Sequence, residues 1–162
     1  MKSNPSNILS FCLLLLTLIT FNNSIAQSND VQLFSNTSRT AVNTSNTELK
    51  EYVYEYKESG YYTNGRLTFS EENYKRLYTD VASLATLNNL DLSNVESIII
   101  NVNSLNDLNA RINYLDAFSN LSNLKCVYIN CEIQASKQQV ENMFSNVPSS
   151  NILNYYGVNI PR

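Results

Sequence analysis

The chain has no histidine and no tryptophan, and only three glycines and three cysteines among its 162 residues. Without histidine, the commonest general base and the commonest metal ligand are both missing. Gly60, Gly65 and Gly157 stand far apart, so no glycine-rich loop that cradles phosphate is formed. Asp and Asn never alternate ahead of a glutamate in the pattern of a calcium loop. Acidic residues outnumber basic ones, 14 to 11, and no basic stretch is present, which excludes nucleic acid and anionic membrane surfaces as partners. Carboxylates are available for acid and base work, Asp107 with Asp116 and Glu71 with Glu72 being the nearest pairs. Asp107, Glu71 and Glu72 fall in predicted first helical turns, where negative charge complements the helix dipole. No catalytic residue, metal site or cofactor is therefore expected, and the chain reads as a non-enzyme.

Only one long apolar run occurs, over residues 8–21, preceded by Lys2 and followed by Asn22-Asn-Ser24-Ile-Ala26. A basic start, an apolar centre and small residues before the cut are the three parts of an export signal, with cleavage expected after Ala26. The run spans only ~21 Å as a helix against a hydrocarbon core of ~30 Å, so no membrane insertion is expected once it is removed. Cys12 lies early in the run, away from the position of a lipid-anchored cysteine. The expected location is periplasmic or extracellular. Loss of Lys2 takes the formal charge from −3 to −4.

Cleavage leaves Cys126 and Cys131. Exported proteins commonly pair cysteines, but on one strand five residues separate the Cα atoms by ~16 Å, beyond the ~7 Å that a disulfide tolerates. No disulfide is expected, and the odd spacing puts the thiols on opposite faces. Asn accounts for 26 residues. That content, with the junction Ala26-Gln27, resembles exported proteins of the Bacteroidota.

Residues 27–47 are rich in Ser, Asn and Thr without hydrophobic period and read as a disordered leader. Asn36-Thr-Ser38, Asn43-Thr-Ser45 and Asn120-Leu-Ser122 match the glycosylation sequon, which matters only in a eukaryotic host. A single domain over residues 48–162 follows. Residues 51–57 alternate, placing Tyr52, Tyr54 and Tyr56 on one face of a strand, and Asn64-Gly65 marks a hairpin turn within residues 61–69. Ser70 as cap and Tyr74, Leu77, Tyr78, Val81, Leu84 and Ala85 at helical spacing predict a helix to about residue 87. Strands are expected over 97–103, 125–132 and 151–158. A helix carrying Leu105, Leu108, Ile112, Leu115 and Phe118 should separate the first two. A shorter one, capped by Ser136 and carrying Val140, Met143 and Phe144, should precede the last.

Within residues 70–162 a phrase recurs: Leu92-Ser-Asn-Val95-Glu-Ser-Ile98-Ile-Ile100 returns as Leu121-Ser-Asn-Leu124-Lys-Cys-Val127-Tyr-Ile129, and Phe118-Ser-Asn-Leu121 returns as Phe144-Ser-Asn-Val147. Repetition at such intervals signals stacked strand-and-crossover units sharing one core. The phrase resembles a short, degenerate leucine-rich-repeat array, although Asn103 aligns with Glu132 and Ser150 stands where a leucine belongs. A plain α/β sandwich of consecutive units gives the same periodicities. Either way the expected fold is α/β: a hairpin, a helix and three units forming a mainly parallel sheet with right-handed crossovers.

If Ile98, Ile100, Val102, Val127, Ile129, Cys131, Leu153 and Tyr155 face the core, then Ile99, Asn101, Cys126, Tyr128, Asn130, Asn154 and Tyr156 face outward. The resemblance implies that this outward side is the ligand surface. Tyr and Asn on a rigid sheet suit contact with a protein or glycan. The candidate binding residues are thus Ile99, Asn101, Tyr128, Asn130, Asn154 and Tyr156, in an exported, non-catalytic interaction module. The alternative is a structural envelope or surface component. The last strand has no closing helix, so its edge could pair weakly with another copy.

Overall fold

A computed structural model describes residues 32–33, 44–148 and 151–160; the expected signal segment and most of the expected leader lie outside these. Nine strands are described: β1 (Gln32–Leu33), β2 (Ser59–Thr63), β3 (Arg66–Ser70), β4 (Arg76–Asp80), β5 (Ser97–Val102), β6 (Ile112–Asn113), β7 (Cys126–Cys131), β8 (Phe144–Ser145) and β9 (Leu153–Val158). Four short α-helices, α1 (Thr44–Leu49), α2 (Leu105–Leu108), α3 (Tyr114–Ala117) and α4 (Lys137–Met143), accompany a π-helical turn (Lys50–Tyr54) and a 3-10 segment (Ala82–Asn89). Seven strands form one sheet in the order β1-β9-β7-β5-β4-β2-β3. β2, β4, β5, β7 and β9 run parallel, while β3 and β1 lie antiparallel at the two edges. The fold is therefore α/β with a mainly parallel sheet. No helix among the described residues is long and apolar enough to cross a membrane.

The repeated phrase builds the principal core. Leu92, Val95, Ile98 and Ile100 from one copy and Leu121, Leu124, Val127 and Ile129 from the next are all buried in a single cluster. Each fully buried aliphatic side chain is worth roughly 1.5–3 kcal/mol over an exposed one. The turns ahead of the strands match: Val95 N–H donates to Leu92 O at 3.0 Å and Leu124 N–H to Leu121 O at 3.2 Å. Asparagine stitches successive units together. Asn123 Nδ2 donates to Ser93 O at 2.6 Å, and Asn120 Nδ2 to Leu90 O at 3.1 Å. A second, two-residue parallel ladder between β6 and β8 joins the crossovers above the sheet. Ser104 and Ser136 head α2 and α4 with reciprocal capping boxes to Asp107 and Gln139, so Asp107 has the structural role its position implies.

Several expected elements are corrected. Residues 70–87 are not one helix: Asn73 turns left-handed (φ 55°), and β4 follows, with Leu77 and Thr79 fully buried on one face and Tyr78 on the other. Pairing with β5 outweighs a helical spacing that also satisfied strand alternation over five residues. Residues 51–57 are not a strand either. Leu49 and Val53 form a helical stripe on the sheet, which the alternation of Tyr52, Tyr54 and Tyr56 masked. The single helix expected after β5 breaks into α2, β6 and α3. The hairpin closes at Asn64 and Gly65, whose φ values of 52° and 67° suit the tight turn of paired strands. Part of the expected leader is ordered: β1 pairs with β9 through Gln32 with Tyr156 and Leu33 with Tyr155. The edge expected to be open thus carries a strand of the same chain.

The register of β9 is a further correction. Val127 pairs with Asn154 and Ile129 with Tyr156, not with Leu153 and Tyr155. The phrase Phe-Ser-Asn returns after 26 residues, but the paired strands are 27 apart, so the connecting loop absorbs one residue. A slip of one residue exchanges the two faces of a strand. Asn154 and Tyr156 therefore lie in the principal core, where Asn154 Oδ1 accepts from the Tyr114 hydroxyl at 2.9 Å. Leu153 and Tyr155 join the opposite face.

A candidate binding groove beside the N-terminal cover

Strand register sets a row of side chains across the second face of the sheet: Phe69, Tyr61, Tyr78, Ile99, Tyr128 and Tyr155 occupy one level on β3, β2, β4, β5, β7 and β9. α1 and the π-helical turn lie over the middle and the β9 end of this row. Leu49 and Val53 bury Ile99, Cys126, Tyr128 and Tyr155 in a second, smaller core. Arg76 fixes the cover from below. Its side chain is only 4% exposed, and its Nε and Nη2 donate to Tyr52 O at 3.0 Å and Glu55 O at 2.7 Å. Lys57 adds an ion pair to Glu96 at 3.1 Å and lies 4.7 Å from the Tyr52 ring centroid. Burial works against the Glu96 charge, but the Lys57 hydrogen bond and the nearby Lys57, Lys125 and Lys75 charges outweigh it and hold that carboxyl below its ordinary range.

The cover is shorter than the face. Beyond it, towards β2 and β3, an open groove of about 480 Å³ runs between the π-helical turn and the hairpin. Five aromatic residues border it, Tyr54, Tyr56, Tyr61, Phe69 and Tyr78, with the Tyr54 side chain reaching back over the sheet to Tyr128. Tyr54, Tyr56, Tyr61 and Phe69 are exposed at 60%, 80%, 40% and 56%, a concentration of solvated aromatic surface on one side of the molecule. Tyr61 stacks on Tyr78 with centroids 4.8 Å apart and planes 7° from parallel, and Phe69 tilts against Tyr61 at 5.9 Å. At the rim Glu71 accepts from the Tyr56 hydroxyl at 3.0 Å and from Ser59 N–H at 2.6 Å. The hydrogen bond to Glu71 raises the Tyr56 pKa.

The six residues named from sequence fall into three settings. Ile99 and Tyr128, 5% and 3% exposed, lie beneath the cover, and burial raises the Tyr128 hydroxyl pKa. Asn101 and Asn130 are half-buried on the same face, in a ladder where Asn159 donates to Asn130 at 2.7 Å and Asn130 to Asn101 at 3.0 Å. Asn154 and Tyr156 face the other way. No local pattern singles out the groove residues, because their exposure depends on where the cover stops; the density of tyrosine over residues 52–62 is the signal the sequence carries.

Cys126 and Cys131 are free and buried on opposite faces of β7. Burial pushes the Cys126 thiol up to about 12, only partly opposed by the charges of Arg76 and Lys57. At neutral pH it is a protonated, enclosed thiol, the inert form. No group of three or more potential metal ligands occurs among the described residues. A second groove of about 410 Å³, lined by Val81, Leu84, Arg111, Ile112 and Asp116 among others, lies on the crossover side and lacks aromatic rings.

Fold and groove together define an α/β module with an uncovered aromatic platform. Comparison with protein-family models, with curated proteins and with solved structures finds no match.

Proposed function

We propose that the chain is an exported, non-catalytic binding module that takes its ligand in the aromatic groove at the β2–β3 end of the second sheet face. The carrying observation is that Tyr61 and Phe69 on the sheet, with Tyr56 at the rim, stay exposed beyond the part of the face that α1 and the π-helical turn close. Rigid aromatic surface gives contact area at low entropy cost, and patches of this kind mark interaction sites. The resemblance of the repeated units to leucine-rich repeats supports the same side of the sheet as the ligand side. Self-association through the last strand is the weaker reading, because β1 already occupies that edge.

The test is retention on immobilised panels of oligosaccharides and of peptides. Tyr61→Ala with Phe69→Ala should remove retention with the circular dichroism spectrum unchanged, while Arg111→Ala in the second groove should leave it intact. Equal retention by all forms would rule out the aromatic groove as the site.

A further inference from the structure

The groove's charge narrows its ligand. Glu55 and Glu71 line it, and Glu58 lies close enough to Tyr56 to raise its pKa alongside Glu71. Its two cations are already committed inward. Lys57 pairs with Glu96 and Glu51, at 3.1 and 3.9 Å, and Arg76 is spent on two backbone carbonyls beneath the cover. Among the described residues no lysine or arginine pairs with Glu55 or Glu71. An aromatic floor under an uncompensated acidic rim attracts cations twice over, through ring quadrupoles and through carboxylates. Guanidinium fits both demands, because its flat face stacks on a ring while its edge donates to a carboxylate in two parallel hydrogen bonds.

Resting on the binding reading above, we infer that the groove takes an arginine-bearing peptide segment, with the side chain stacked on the tyrosines and held by Glu71 and Glu55. The hairpin and the π-helical turn form the two walls, so the segment lies between them, on the uncovered end of the sheet. Neither wall has to move, since the groove is already open.

The experiment is a titration of the whole chain with labelled hexa-arginine, hexaglutamate and a neutral oligosaccharide, cellohexaose, followed by fluorescence anisotropy. Hexa-arginine should bind, weakening severalfold when salt rises from about 50 to about 300 mM. Glu55→Gln with Glu71→Gln, which keeps an acceptor for Ser59 N–H, should weaken it at least tenfold, and so should Tyr61→Ala with Phe69→Ala. Glu132→Gln with Glu141→Gln, which removes the same charge from outside the groove lining, should change it little. An equal loss in that control pair would show general attraction of a polycation to an acidic protein and overturn the inference. Cellohexaose bound in a manner sensitive to Tyr61 and Phe69 but indifferent to the glutamates would sink the cationic assignment and leave the binding groove standing. If no probe responds to Tyr61 and Phe69, both readings fall.

Discussion

Replacing Arg76 by methionine should loosen the N-terminal cover without dismantling the sheet, and the two buried cysteines report the difference. Methionine retains much of the apolar stem but leaves Tyr52 O and Glu55 O without the donors they now have at 3.0 and 2.7 Å. Hydrogen bonds to a charged group contribute about 1.5–3 kcal/mol each, and part of that is offset by the dehydration of a guanidinium the variant no longer buries. A net loss on the order of 3 kcal/mol raises the population of the open cover by roughly 10², at about 1.4 kcal/mol per tenfold. Cys126 is sealed by Leu49 and Val53 of the cover, whereas Cys131 is sealed by the principal core on the other face. In a Cys12→Ser background, labelling by an aromatic disulfide at pH 8 should therefore accelerate about a hundredfold at Cys126, with Cys131 far less affected. Arg76→Lys should rescue only partly, since one ammonium replaces a fork that reaches two carbonyls. Equal acceleration at both thiols would mean that Arg76 supports the whole fold, and no acceleration at Cys126 would mean that it does not hold the cover; either refutes the reasoning.

Two further expectations concern the same face. A Cβ at Gly157 would overlap the Tyr128 hydroxyl and sit 3.2 Å from its ring Cζ, so Gly157→Ala should cost about 1–3 kcal/mol in urea denaturation. Adding Tyr128→Phe should recover part of that loss, and simple additivity of the two changes would contradict the proposed clash. Stability should be lost at alkaline pH: burial holds Cys126 protonated up to about 12 against an ordinary 9.0. The folded chain thus binds more protons than the unfolded one between those values, and stability fully present below pH 9 falls as pH rises through the folded pKa, by on the order of 4 kcal/mol. With no histidine in the chain, the urea midpoint should stay nearly level from about pH 6 to 8. Cys131, Tyr114, Tyr128 and Tyr155 are raised by burial as well and add to the same loss, so Cys126→Ala should reduce the alkaline slope without abolishing it, and an unchanged slope would remove Cys126 from the contributors.

What was legible in the sequence was what repeats. Leu92, Val95 and Ile98 and their counterparts Leu121, Leu124 and Val127 announce both the turn and the strand, because the same hydrophobic spacing has to fill the same core twice. Asn64-Gly65 and the Ser136 cap were legible because each needs only local chemistry. The cover was not. Leu49 and Val53 at helical spacing compete with an alternation of tyrosines of equal strength, and only the apolar face formed by Ile99, Cys126 and Tyr155 decides between them. The register of strand β9 is ambiguous by one residue in the sequence, because Leu153, Tyr155, Tyr156 and Val158 supply apolar candidates to both faces. The buried hydrogen bond between Tyr114 and Asn154, 40 positions apart, is invisible to any local pattern. The groove was hidden for the same reason as the cover that bounds it.

The two antiparallel strands at the margins make the array finite. A run of parallel strands linked by similar crossovers has no internal reason to stop, and a further unit laid beside β9 would meet a pairing surface already taken by β1. At the other margin β3 presents a strand of opposite direction, bulged where Tyr61 and Tyr62 change register. A bulge interrupts the even spacing of amide groups that an incoming strand has to match. Extra units grafted between β5 and β7 would extend the protein as a ruler is lengthened in the middle, whereas units grafted at either end would first have to evict a strand.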